Sequence, residues 1–215
     1  MVFSMAILVI LVLLILAALA FRGTKSRRPG RDEAFHRAER DAHGRNTELS
    51  VDAILERHAL PRLHEVWVQN RQGRSTEIDH LALCGAVILI VETKGWRGVV
   101  RVEAGGEQWI QVKARQTKLH PSPVAQNTRH SKLLRAKYLG AAFKPVVVVP
   151  YATFEGPQPD QVWSVEQLEA FIAEARAQRP DGGTSKVWET LCSIDKGQNK
   201  AVLRSEHMSR YSRDA

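Results

Sequence analysis

The first charged residue in the chain comes late. From Val2 to Phe21 there is no charged residue, and Ala6 to Ala20 is almost entirely aliphatic. That length approaches the roughly 20 residues a helix needs to cross a bilayer. Asp32 to His58 is compatible with helix, with Gly44 expected to interrupt it, and Leu49, Val51, Ala53 and Ile54 supply an apolar stripe in its later part. Pro61 limits that helix. Val66 to Gln69 alternates as a strand, and Arg71-Gln72-Gly73 turns the chain into a second strand, Thr76 to Leu83. Cys84-Gly85 offers a tight turn into Ala86 to Val91, a continuous apolar run that suits a strand buried on both faces.

Beyond Lys94, Gly95 and Gly98 break the pattern, and Val99 to Val102 with Gln108 to Val112 reads as a hairpin around Ala104-Gly105-Gly106. Pro121-Ser122-Pro123 opens a helix to about Leu139, proline being tolerated in a first turn. Lys144 to Val149 is a buried strand closed by Pro150. A short strand at Val162-Trp163 precedes a helix from Val165 to about Ala177, with Ser164 as N-cap and Gln167 at the capping-box position. Lys186 to Ile194 reads as a short helix, and the polar tail beyond Lys200 as loose. A leading helix, a strand meander and then alternating helix and strand predict a mixed α/β sandwich.

The apolar start of the chain has two readings. Ala18-Leu19-Ala20 resembles a small-x-small cleavage site, as in a signal peptide. Against this, no lysine or arginine precedes the apolar run, whereas Arg22, Lys25, Arg27, Arg28 and Arg31 follow it. That asymmetry favours an uncleaved single-pass anchor at residues 1–21, with the rest of the chain on the cytoplasmic side of the inner membrane. Residues 22–40 then form a basic linker and helix start, whose charge suits anionic headgroups.

Charge adds a second partner class. The 215 residues carry a formal net charge of +8 and a pI of about 9.8, which favours a polyanion such as nucleic acid or an anionic membrane surface. The two cysteines, Cys84 and Cys192, have no disulfide or metal-ligand spacing. The eight histidines show no ligand-like pairing, which argues against zinc.

Candidate chemistry sits at the end of the central hairpin. Asp79 falls roughly opposite Val91, within a residue of Glu92, and Glu92 and Lys94 leave the same face of a strand. Two carboxylates placed together repel unless a divalent cation lies between them. Magnesium suits such oxygen ligands, with its remaining positions completed by water and substrate phosphate. An ordinary ion pair at a solvent-exposed strand end explains the same spacing equally well.

The motifs Gly44-Arg-Asn-Thr-Glu48, Glu77-Ile-Asp-His80, Val91-Glu-Thr-Lys-Gly-Trp-Arg-Gly98 and Pro123-Val-Ala-Gln-Asn-Thr-Arg-His130, with Trp109 between the last two, stand in an order that resembles the nuclease-related domain (NERD) family. The resemblance spans roughly Gly44 to Pro150. It implies a PD-(D/E)XK-like fold, a mixed central sheet flanked by helices as in restriction endonucleases, with residues 41–151 as the domain, 152–200 completing or flanking it and 201–215 as a tail. It also implies metal-binding carboxylates at Asp79 and Glu92, the lysine of the E-x-K motif at Lys94, the first-helix glutamate at Glu48 and a water- or phosphate-holding glutamine at Gln126. Ile78 stands where the wider superfamily has proline, and Thr47 where glycine commonly precedes the glutamate.

Other residues carry competing readings. His80 is adjacent to Asp79 and suits an indirect role. His130, Lys132 and Arg135 lie on the helix of Gln126 and are candidates for phosphate contact, against packing or a solvated charged face. Trp96 and Trp109 could stack on bases, but core packing is the commoner use of such residues. The implied function is a membrane-anchored, Mg²⁺- or Mn²⁺-dependent nuclease acting on DNA. The alternatives are a non-catalytic nucleic-acid- or protein-binding module at the membrane and a tethered interaction protein with no nucleic-acid role.

Overall fold

A computed structural model describes residues 29–70, 72–103, 106–114 and 116–211. The chain divides into two units, Met1–Asp41 and Ala42–Ala215. The apolar segment Val2 to Phe21 and the linker through residue 28 lie outside the described residues. Among the described residues no helix is long and apolar enough to cross a membrane.

The first helix, α1 (Pro29–Arg57), runs through Gly44 without interruption. One interior glycine costs only about 1 kcal/mol relative to alanine, and the later turns bury Val51, Ile54 and Leu55. The buried stripe is the expected one only at Val51 and Ile54. Leu49 is exposed and Ala53 points outward, while Thr47, Val51, Ile54 and Leu55 face the core. Glu48 and Asp52 consequently flank the buried stripe, one turn apart.

Two mixed sheets follow. The five-stranded sheet has the order β1-β2-β3-β7-β9, built from β1 (Arg62–Gln69), β2 (Ser75–Cys84), β3 (Val87–Thr93), β7 (Phe143–Val148) and β9 (Val162–Trp163). β1, β2 and β3 form an antiparallel meander, and β7 then joins β3 in parallel. The four-stranded sheet has the order β6-β5-β4-β8, from β4 (Arg97–Val102), β5 (Gln108–Lys113), β6 (Gln116–Pro121) and β8 (Tyr151–Glu155). The expected mixed sheet flanked by helices is therefore present, and a second sheet accompanies it. β6 reads QTKLHP and is mostly exposed, so it shows no apolar alternation, and β8 is a short, half-exposed strand directly after Pro150.

Helices cover both faces of the larger sheet. Residues of α1 and α3 (Val165–Ala175) pack on Ala82, Leu89, Val91, Val146 and Val148. On the other face, Leu134 of α2 (Pro123–Lys137) and Val187, Trp188 and Leu191 of α4 (Gly182–Lys196) pack on Val66, Ile78, Leu81, Ile88 and Ile90. This burial of β3 on both faces is what its unbroken apolar sequence predicts. The capping box at Ser164 and Gln167 is formed.

The tail is also corrected. Lys200–Tyr211 is a fifth helix, α5. Its basic residues find fixed partners: Lys200 Nζ donates to the His64 carbonyl at 2.6 Å and pairs with Asp195. Arg204 pairs with Glu65 at 2.6 Å and Glu77 at 3.2 Å. A polar sequence concealed this, because the anchoring is electrostatic rather than apolar.

Candidate active site

The turn between β2 and β3 sets the geometry. Cys84 pairs with Val87, so the turn is Gly85-Ala86, one residue later than expected. Gly85 has φ +57°, and a Cβ there would meet the Ala175 carbonyl oxygen at 2.0 Å, so only glycine fits. Because His80 pairs with Val91, Asp79 falls opposite Glu92 rather than opposite Val91. The two carboxylates are therefore cross-strand neighbours.

Asp79 Oδ2 accepts a hydrogen bond from the Thr93 backbone N–H at 2.7 Å. Lys94 Nζ donates to Glu92 Oε1 at 2.5 Å and reaches Gln126 Oε1 at 3.4 Å. Lys94 lies just past the strand, and its backbone N–H donates to the Val148 carbonyl on β7. Gln126 sits in the first turn of α2, where Ser122 caps the helix by accepting from the Ala125 N–H. The adjacent Asn127, which sequence reasoning did not single out, locks this helix to the sheet. Its buried amide donates to the carbonyls of Ile90 at 2.8 Å and Val146 at 2.7 Å. The signal for it was its place next to Gln126.

Glu48 approaches from α1. Its Oε2 lies 3.9 Å from His64 Nε2. Its pKa is lowered, chiefly by His64, and the Lys94 ammonium also favours its charge. The loop after Lys94 is held against α1: His43 Nε2 contacts the Gly95 carbonyl oxygen at 2.7 Å, and a Cβ on Gly95 would meet Thr47 Oγ1 at 2.5 Å. Close packing of Gly95 on Thr47 thus brings the E-x-K loop up to the turn that bears Glu48.

The remaining candidates divide between site and scaffold. His130 is buried, with Nδ1 3.8 Å from Glu92 Oε2 and Nε2 3.2 Å from Thr76 Oγ1. Lys132 is exposed. Arg135 donates to Ser131 Oγ and to the Phe143 carbonyl, which ties it to its own helix and to β7. His80 is fully buried and stacks on His64 at 4.7 Å. Trp109 is core, against Val100 and Val147, and Trp96 packs on Trp109 and His120.

Electrostatics mark the carboxylates as strained. Burial first, and then the charge of Glu92, pushes the Asp79 carboxyl well above the usual range. Burial likewise raises Glu92, against the pull of Lys94. Burial disfavours the Lys94 ammonium, but Glu92 and Asp79 outweigh it and hold its pKa up. Glu92 Oε2 is buried without a hydrogen-bond partner. Oxygen donors, mutual repulsion and an unsatisfied carboxylate oxygen together fit a hard divalent cation. Among the described residues no group of three or more His, Cys, Asp or Glu side chains is placed to hold a metal. Asp79 and Glu92 would thus supply two ligands, leaving water and substrate to complete the shell.

The family model for the nuclease-related domain matches residues 43–154, just over half of the chain. The chain belongs to the NERD family. Its general kind is the PD-(D/E)XK superfamily, and the match runs from His43 of α1 to Phe154 of β8, taking in Glu48, Asp79, Glu92, Lys94 and Gln126. An uncharacterized protein of Bacillus anthracis is 31% identical over 72 residues, 34% of this chain and 34% of that protein. The chain thus spans about a third of the length of that relative. No solved structure matches.

Proposed function

We propose that this NERD protein is a Mg²⁺- or Mn²⁺-dependent nuclease that hydrolyses phosphodiester bonds in DNA, held at the cytoplasmic face of the inner membrane by its N-terminal segment. The observation that carries the reading is the cross-strand pair Asp79 and Glu92, with Lys94 bridging Glu92 to Gln126. A bound divalent cation would acidify a water and offset charge on the scissile phosphate. Asp79 and Glu92 would hold it, and Glu48, whose charge both carboxylates feel, would act on it through water.

Lys94 has a defined part in this scheme. The carboxylates around it keep it an ammonium, so it donates hydrogen bonds and offsets negative charge rather than taking a proton. Gln126 orients that ammonium and, on a capped helix pinned by Asn127, keeps the amide in place for water or phosphate. Exposed Lys132 on the same helix and the net charge of +8 support salt-sensitive binding to a nucleic-acid backbone. The asymmetry of basic residues about the apolar N-terminal run supports the membrane placement.

One observation favours a second reading. Lys94 already neutralises Glu92 at 2.5 Å, and with two carboxylates alone the site could serve a module that binds nucleic acid without cutting it. The full-length protein in detergent, with DNA and Mg²⁺ or Mn²⁺, separates the two. Cleavage that falls at least about a thousandfold in both Asp79→Ala and Lys94→Ala supports the nuclease. Salt-dependent DNA binding with no cleavage under either metal would establish the binding module instead.

A further inference from the structure

Glu92 is asymmetrically served. Its Oε1 receives the Lys94 ammonium, while Oε2 is buried with no hydrogen-bond partner. The nearest polar group to which the structure ties Oε2 is His130 Nδ1 at 3.8 Å, and that nitrogen is itself buried and without a hydrogen bond. Two buried, unsatisfied atoms of complementary capacity face each other. Leaving both unmade costs on the order of 1–3 kcal/mol per group. A turn of the carboxylate that shortens the gap by about 1 Å brings it into hydrogen-bond range.

We propose that His130 is a positioning residue for Glu92: its Nδ1–H donates to Oε2, and the Thr76 hydroxyl at Nε2 sets that proton placement. The arrangement has one consistent proton placement. Thr76 Oγ1 lies at Nε2 and the unpartnered Oε2 faces Nδ1, so a ring that accepts at Nε2 is left to donate at Nδ1. Oε1 already takes a proton donor from Lys94, and Oε2 of the anion needs a second. Thr76 Oγ1, 3.2 Å from Nε2, can supply its own proton to that nitrogen. Thr76, His130 and Glu92 then form a chain from β2 through α2 to β3 that fixes the carboxylate plane. Ligating carboxylates are commonly held in this way by an outer hydrogen bond.

This rests on the nuclease reading for its consequence, the presentation of Glu92 to a divalent cation, but not for the hydrogen bond itself. Full-length protein labelled with ¹⁵N-histidine reads the tautomer directly, with His130→Asn assigning the signal. The expected result near pH 7 is a neutral ring protonated at Nδ1, shifting toward the Nε2–H form in Thr76→Val. A ring protonated at Nε2, or at both nitrogens, would overturn the proposal whether or not the protein cuts DNA. Titration with Mn²⁺ followed by its electron paramagnetic resonance signal gives the consequence. His130→Ala should bind Mn²⁺ about 10- to 100-fold more weakly. His130→Asn, whose amide nitrogen occupies the Nδ1 position, should stay within about threefold of wild type, and His130→Gln should resemble alanine. Equal Mn²⁺ affinity in wild type and a folded His130→Ala would also sink the proposal. If wild type binds no Mn²⁺, the metal-dependent nuclease fails, and the tautomer alone decides the Glu92 contact.

Discussion

At its turn, the β2–β3 hairpin closes by packing, with Gly85 seated on the Ala175 carbonyl of α3 and Cys84 buried beside Leu89 and Val146. At its open end the same two strands set Asp79 against Glu92, burying Glu92 and half-burying Asp79. One end satisfies every ordinary rule of a stable hairpin. The other juxtaposes like charges, which directly opposed strand residues normally avoid. The comparison separates what holds the fold from what the fold holds: apolar contact fixes the register at the turn, and the register then forces the carboxylates together.

Breaking the turn should have the largest effect. Gly85→Val adds a Cβ where the Ala175 carbonyl oxygen stands 2.0 Å away and where φ is +57°, and should destabilise the protein by about 3–4 kcal/mol. Urea unfolding of the full chain measures it; a loss under about 1 kcal/mol would mean the register is held elsewhere. Next is the brace of the open end. Asn127→Ala removes two buried hydrogen bonds and leaves the Ile90 and Val146 carbonyls without that partner, a cost of about 2–3 kcal/mol. Because Gln126 is carried by the same helix turn, cleavage should fall by more than the fraction unfolded explains. A variant unstable but fully active per folded molecule would detach Asn127 from the site.

These two positions also show what could be read from the chain alone. The apolar run Ala86 to Val91 and the E-x-K spacing marked β3 and its site, because burial on both faces and a charged end leave a strong local pattern. The one-residue shift of the turn was not legible, since Cys84-Gly85 and Gly85-Ala86 both satisfy the glycine requirement and only contact with α3 selects between them. The second sheet was partly hidden for a similar reason. β6 is an exposed edge strand whose pairing with β5 comes from backbone hydrogen bonds rather than apolar alternation. α5 was missed because Lys200 and Arg204 look like solvent-facing charge until β1 presents Glu65 and the His64 carbonyl to them. Asn127 was overlooked because a buried amide has no periodic signature.

The pH dependence sharpens the contrast between the hairpin's two halves. His80, buried next to Asp79, has its pKa lowered to about 4 by burial, so it stabilises the fold while neutral. That contribution is present above the ordinary histidine value of about 6.5 and is lost as pH falls toward the folded value. From pH 7 to pH 5 His80 alone should account for a loss of about 2 kcal/mol. His80→Leu should flatten that limb of the stability curve by the same amount in urea titrations at the two pH values. An unchanged slope would show that His80 gains a proton without cost in the folded state.

The smallest effect has the opposite sign and tests the comparison most directly. Asp79 and Glu92 have raised pKa values in the folded state. Their protonated forms therefore stabilise the metal-free fold at low pH, and that stability disappears as pH rises from about 4 through the raised folded values. Asp79→Asn removes one of the repelling charges while keeping an oxygen for the Thr93 N–H. It should make the metal-free protein about 1 kcal/mol more stable at pH 7, weaken Mn²⁺ binding and abolish cleavage. Added Mn²⁺ should raise the melting temperature of wild type and leave that of the variant nearly unchanged. If Asp79→Asn instead lowered the stability of the metal-free chain, the open end would be as well satisfied as the turn, and the repulsion that argues for a cation between the carboxylates would not exist.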